Sequence, residues 1–137
     1  MDDNGYVDVP LRVRYADTDR MGIVYYGTYP VYFEVGRSEF MRARGYPYKE
    51  LEEQGYYLVV TGVEIKYYNP ALYDDMLAIR TSVSDVRSRG VTFNYTVLRD
   101  GLTVVVGKTR HICVTAERKP TRLPRFLVEV LQNACPA

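Results

Sequence analysis

Tyr29-Pro30-Val31-Tyr32-Phe33-Glu34-Val35-Gly36-Arg37-Ser38-Glu39-Phe40-Met41-Arg42-Ala43-Arg44-Gly45 is the stretch that decides the fold of this chain. Tyr29, Tyr32, Phe33, Gly36 and Phe40 recur at helical spacing and line one stripe. Glu34, Arg37, Ser38, Arg42 and Arg44 lie mostly off it, so the pattern predicts an amphipathic helix. Pro30 suits the first turn, where its missing N–H costs nothing, and Gly45 suits the position just past the end. Gly36, in mid-stripe, would let a sheet approach closely. A long helix with an apolar stripe must bury that stripe against another layer.

The flanking sequence supplies the layer. After a short helical turn around Lys49 to Gln54, the period changes to two. Val63, Ile65 and Tyr67 form one alternating set, then Leu77, Ile79, Thr81 and Val83, then Val91, Phe93, Tyr95 and Val97. Asp100-Gly101 is a hairpin turn into a last strand, Thr103 to Thr115, and Ser88-Arg89-Gly90 is a second tight connection. Short links imply antiparallel pairing. Upstream, Val7 to Tyr15 reads as a first strand with Val9, Leu11, Val13 and Tyr15 on one face. A closing helix is expected over Leu123 to Gln132, starting at Pro124. The expected fold is α+β: one antiparallel sheet curled around one long helix, in a single domain covering 1–137. Apolar residues on both faces of the sheet point to a second subunit covering the outer one.

Composition narrows the function. The chain has 137 residues and a net charge of +1, which gives no reason to expect a nucleic-acid partner. Two cysteines make no disulfide framework, and no apolar run reaches the roughly 18 residues of a membrane span. The acidic start Met1-Asp2-Asp3-Asn4-Gly5 does not read as a signal peptide, so a cytoplasmic location is expected. Tyrosine is abundant, 14 residues against four Phe and no Trp. It suits half-exposed sheets, subunit interfaces and acyl or aromatic pockets.

With a single histidine, His111, three-histidine metal sites are impossible, and no metal is expected. Neither a Gly-x-Ser-x-Gly elbow nor a phosphate-cradling Gly-rich loop is present. His111 and Cys113 share a strand face, so a Cys–His pair is conceivable, although no helix terminus underlies the thiol. A hydrogen-bonded strand histidine is the simpler expectation. The carboxylates Asp17 and Asp19 remain, just ahead of the helix. In an extended segment both would face one way. A carboxylate beside the electropositive end of a helix can act as base or nucleophile while the free N–H groups there hold an oxyanion. Either residue could instead be a loop or capping aspartate.

Arg14-Tyr15-Ala16-Asp17-Thr18-Asp19, Met21-Gly22-Ile23-Val24-Tyr25-Tyr26 and the helix from Tyr29 to Gly45 resemble a known family. So do Tyr68-Asn69-Pro70-Ala71, Asp74-Asp75, Arg99-Asp100-Gly101 and Arg122-Leu123-Pro124, all in the right order. The chain resembles hotdog-fold acyl-CoA thioesterases of the 4-hydroxybenzoyl-CoA thioesterase family, near the bacterial short-chain, Tol–Pal-associated branch. The resemblance implies the hotdog fold: a central helix wrapped by a five-stranded antiparallel sheet, assembled as dimers or tetramers with sites at subunit interfaces. It implies Asp19 as the catalytic carboxylate and the Tyr26 backbone N–H as the oxyanion donor. Tyr26 stands where the short-chain branch usually has histidine, and Thr28 where asparagine is usual.

The implied substrate is a short-chain or aromatic acyl-CoA, with coenzyme A part of the substrate and no cofactor. Gly22 would shape the backbone around the acyl group, with Val24, Tyr25 and Tyr29 lining it. Arg87, Arg89 and Arg122 are candidates for the coenzyme A phosphates. Asp17→Asn is expected to be mild beside Asp19→Asn. The alternatives are an acyl carrier protein thioesterase and a non-catalytic acyl-binding hotdog protein. A dehydratase of this fold would need a histidine paired with an acid, and only His111 is available.

Overall fold

The computed structural model describes residues 5–133. The 15-residue helix α1, Tyr29–Ala43, runs across the concave face of one five-stranded antiparallel sheet. The strands are β1 (Tyr6–Arg12), β2 (Tyr56–Tyr67), β3 (Met76–Val86), β4 (Gly90–Arg99) and β5 (Leu102–Thr115). Their spatial order is β1-β3-β4-β5-β2, so β1 and β2 are the edges. The short helix α2 (Tyr48–Glu53) joins α1 to β2, and α3 (Arg125–Asn133) closes the chain against β3.

The predicted stripe is the buried face of α1: Tyr29, Tyr32, Phe33, Gly36 and Phe40 are all buried, joined by Met41. Opposite it lie Leu77, Ile79 and Thr81 of β3, Val91, Phe93, Tyr95 and Val97 of β4, and Val105, Thr109 and Cys113 of β5. Phe33 stacks on Tyr95 with ring centroids 4.2 Å apart, and Phe40 meets Phe93 edge-on. Two glycines set the helix–sheet distance. A Cβ on Gly36 would overlap the Thr81 hydroxyl and sit 2.7 Å from Ile79 Cγ2, and one on Gly107 would fall within the Phe33 ring.

Turn chemistry follows the sequence. Asp100 and Gly101 both have positive φ, 49° and 81°, as the tight β4–β5 hairpin requires. Gly45 ends α1 at φ 87°. Two boundaries differ from expectation. The first strand stops at Arg12, and Tyr15, expected to continue it on the face of Val9, Leu11 and Val13, is 79% exposed at the start of a 3-10 turn, Tyr15–Asp17. Val13 pairs instead with Asp74 and Asp75, which pulls the chain off the sheet edge. Second, β2 begins seven residues before Val63, at Tyr56. A bulge between Val60 and Gly62 breaks its alternation and conceals the first half from a period-two reading.

Candidate active site

The segment between β1 and α1 is a compact double turn. Thr18 and Val24 pair as a miniature hairpin. At its tip the Gly22 N–H donates to the Asp19 carbonyl at 2.9 Å, and the Asp19 N–H donates to Ile23 O at 2.9 Å. Gly22 has φ 80°, the left-handed residue of a three-residue hairpin loop. Its role in the fold is thus to turn the backbone that carries Asp19. Ile23 bridges to Leu72 and the Val24 N–H donates to Ala71 O at 2.8 Å, which ties the loop to the segment before β3. A second 3-10 turn, Tyr26–Thr28, leads directly into α1.

The two aspartates separate sharply. Asp17 is buried. Its carboxylate accepts the Arg14 N–H at 3.0 Å, Arg14 Nη2 at 3.0 Å and the Tyr32 hydroxyl of α1 at 2.8 Å. Burial opposes its charge, yet the Arg14 and Tyr32 bonds hold the carboxyl below its ordinary value. Asp17 is a strut between the loop and the helix, so Asn there should cost stability. Asp19 is half-exposed. Its Oδ1 accepts the Met21 N–H at 2.8 Å, which fixes the side chain against its own turn. Its Oδ2 takes no hydrogen bond from a described residue. The 3-10 turn rotates the chain between positions 17 and 19, so they do not share a face.

Past Asp19, the Tyr25 N–H donates to Asp17 O at 2.9 Å and the Thr28 N–H to Tyr25 O at 2.8 Å. Among the described residues the N–H groups of Tyr26 and Gly27 find no backbone acceptor, and they lie at the electropositive end of a helix about 22 Å long. The Tyr26 carbonyl accepts the Tyr67 hydroxyl at 2.9 Å, tying this turn to the edge strand β2. The Tyr26 ring is exposed and packs on Tyr25, centroids 4.6 Å apart. The Tyr25 hydroxyl is pushed above its ordinary value, first by its hydrogen bond with Tyr26 and last by the charge of Asp19. Tyr29 is buried edge-on to Tyr32 and Tyr67, and burial followed by Tyr67 pushes its hydroxyl up to about 12. Val24 is a core residue, 3% exposed.

The chain folds as the thioesterase-like superfamily does, and that family matches residues 13–133. The chain belongs to it. The acyl-CoA thioesterase YbgC of Haemophilus influenzae is 35% identical over 125 residues, covering 90% of this chain and 91% of the relative. The crystal structure of a hypothetical protein from Thermus thermophilus superposes with a TM-score of 0.89 at 32% identity, covering 91% of this chain and 96% of that one. A DHNA-CoA thioesterase from Staphylococcus aureus superposes with a TM-score of 0.87 at 28% identity, over 93% and 87% of the two chains. The hotdog fold and the grouping with acyl-CoA thioesterases expected from the sequence both stand, as does the enzyme class, thioester hydrolase.

The basic candidates lie elsewhere. Arg87 and Arg89 flank the β3–β4 turn, and the Leu123 N–H donates to Ser88 O at 2.9 Å, which brings Arg122 beside that turn. Arg87, Arg89, Arg110, Asp85 and Thr61 line an open groove of about 460 Å³. Arg87 is paired to Asp85 at 2.9 Å and Arg110 to Glu64 at 3.5 Å. Asp19, by contrast, is at the Met76 end of β3. The 11 residues of β3 separate the two ends by roughly 35 Å. One chain therefore gathers Asp19, Gly22, Val24, Tyr25, Tyr26 and Tyr29 but not the arginines. Tyr32 and Tyr67 hold this gathering together and were read from the sequence only as pattern residues. Their hydroxyls were the available signal, since buried or interfacial Tyr is usually chosen over Phe for a hydrogen bond.

No helix among the described residues is long and apolar enough to cross a membrane. His111 is the expected hydrogen-bonded strand histidine, with Nε2 2.8 Å from Thr109 Oγ1. Burial pushes the Cys113 thiol up, the reverse of what a nucleophile needs, and no hydrogen bond joins it to His111.

Proposed function

We propose that this chain hydrolyses the thioester of a short-chain or aromatic acyl-CoA to the free acid and coenzyme A. The supporting observation is the pairing of Asp19, with one unpartnered carboxylate oxygen, and the Tyr26 N–H, an unpaired donor at the start of the α1 turn, on one short loop. The thioester oxygen points at that N–H, where the helix end favours developing negative charge. Asp19 then either attacks the carbonyl carbon, giving a mixed anhydride that water cleaves, or takes a proton from the attacking water. The departing thiolate needs little acid assistance, because thiols have a pKa near 8.5. Tyr25 and Tyr29 border the acyl group, and the relatives' acyl-CoA substrates support coenzyme A as carrier.

The proposed working form is a homo-oligomer. β2 is an unpaired edge with Val59, Val60, Val63 and Tyr67 exposed. Its Tyr67 end touches the Tyr26 turn, while its other end lies across β5 from Gly90. Antiparallel pairing of β2 with β2 of a second copy brings each Asp19 loop towards the other copy's Arg87 and Arg89. Those arginines, with Arg122, then meet the phosphates of coenzyme A.

A panel of aliphatic and aromatic acyl-CoA esters, assayed by thiol release for the wild type and Asp19→Asn, tests this reading. Turnover of the best substrate should fall about a hundredfold or more in the variant. Undiminished hydrolysis by Asp19→Asn refutes the assignment. An acyl carrier protein thioester in the same panel separates the two carriers, and light scattering reports the assembly.

A further inference from the structure

Between α1 and the sheet, away from the Asp19 loop, lies a cavity of about 180 Å³. Arg37 and Met41 of α1, Tyr48 of α2, Leu58 of β2, Phe93 of β4 and His111 of β5 line it. Along the helix axis, Arg37 to Met41 stand roughly 12–18 Å from Tyr29. The volume admits several waters or one small organic molecule.

Its polar wall is a chain of hydrogen bonds that runs from Arg37 to His111. Arg37 Nη1 donates to the Tyr95 hydroxyl at 3.4 Å, since a guanidinium only donates. Tyr95 and Thr109 Oγ1 share a hydrogen bond at 2.6 Å in which either can donate, and Thr109 Oγ1 lies 2.8 Å from His111 Nε2; the arrangement taken here has Tyr95 donating to Thr109 and Thr109 to Nε2. Burial, and then the charge of Arg37, pull His111 down to about 4, so the ring is neutral at pH 7. With Nε2 accepting, the proton sits on Nδ1. His111 is 3% exposed, and its Nδ1 makes no hydrogen bond of good geometry, although the Leu58 backbone is close enough to hold its proton weakly. Beside it, the Tyr48 hydroxyl accepts the Leu58 N–H at 2.9 Å, which leaves its own proton free. Arg37 has no carboxylate within ion-pair distance among the described residues. Glu34, the one acid on the lining, is exposed and accepts the Ser38 hydroxyl at 2.7 Å.

Three side chains able to donate, one of them cationic, thus line a cavity whose wall is completed by Met41, Leu58 and Phe93, with Glu34 and Ser38 beside Arg37 on α1. We propose that this cavity binds a small organic carboxylate, held by Arg37, the His111 Nδ1–H and the Tyr48 hydroxyl, with its apolar body against Met41, Leu58 and Phe93. The site is distinct from the Asp19 loop and does not depend on the thioester reading.

The single histidine makes the test direct. The imidazole nitrogens of ¹⁵N-histidine-labelled protein are followed by NMR during titration with benzoate, and separately with benzamide, its neutral counterpart. Benzoate should shift Nδ1 saturably, and equally in the wild type and Asp19→Asn. Arg37→Gln should weaken binding about tenfold or more, and benzamide should bind more weakly by a similar factor. Tyr48→Phe, which keeps the ring, should weaken benzoate several-fold and serves if Arg37→Gln does not fold. An imidazole unmoved by benzoate overturns the proposal. So does equal binding of benzamide, or a titration unchanged in the Arg37 or Tyr48 variant.

Discussion

Asp17 and Asp19 lie two residues apart; the structure makes Asp17 a buried strut, and Asp19 is the carboxylate proposed for the reaction. Replacing Asp17 by Asn keeps the shape but turns one of its two acceptor oxygens into a donor group. That group then faces Arg14 or Tyr32, both of which already donate. The charge-assisted bonds lost, and the buried donor left unpaired, together cost about 3 kcal/mol. For a chain of this length that is about 10 °C in melting temperature. Asp19→Asn keeps an oxygen for the Met21 N–H and changes a half-exposed group, so its melting temperature should move by no more than about 2 °C. Thermal melts at pH 7, read beside acyl-CoA turnover, test both roles. Asp17→Asn loses stability, and Asp19→Asn loses turnover. The effect of Asp17→Asn should also depend on pH with a defined sign. The folded Asp17 carboxyl lies below its unfolded value of about 3.9. Its contribution is therefore complete above that pH and drains away as pH falls through the folded value. The gap between wild type and Asp17→Asn should close in acid. Equal melting temperatures for the wild type and Asp17→Asn at pH 7 would refute the strut, and a cold-stable, fully active Asp19→Asn would refute the role proposed for Asp19.

Gly36→Ala tests the helix–sheet contact. Alanine is the better helix former by about 1 kcal/mol, yet its Cβ meets Ile79 and Thr81, so urea melts should show a net loss of about 1–3 kcal/mol. His111 should make folding acid-sensitive. Its folded value of about 4 lies below the unfolded 6.5, so its contribution is full above pH 6.5 and is lost as pH falls towards 4. Chemical denaturation at pH 7 and pH 5 should show this decline in the wild type, with the His111 share absent in His111→Phe.

Much of this architecture could be read from periodicity. The stripe of α1, the switch to period two, and the Asp100-Gly101 and Gly45 turns each report a local backbone requirement, so they survive without knowledge of the fold. The helix–sheet contact at Gly36 was readable for the same reason: only a glycine in an apolar stripe invites so close an approach. What stayed hidden depended on bends. The 3-10 turn at Tyr15–Asp17 sends Asp17 inward and leaves Asp19 near the surface, and no alternation rule sees it. The bulge at Val60–Gly62 likewise masks half of β2. The distance from Asp19 to Arg87 and Arg89 is a matter of sheet register, which residue types alone do not specify. The family resemblance singled out Asp19 and Tyr26, but only the fold shows Asp17 buried against α1 and Asp19 half-exposed.

The outward-facing ring of Tyr26 has a consequence for how such proteins diverge and how they should be probed. The group proposed to meet the oxyanion belongs to the peptide link, which every residue but proline carries. The genetic code can therefore rewrite that position freely, and a scan of side chains will report it as dispensable. Only an edit to the main chain, such as proline or a backbone ester at position 26, interrogates it. Tyrosine here, where the resemblance leads one to expect histidine, is the kind of drift that a donor encoded by geometry permits.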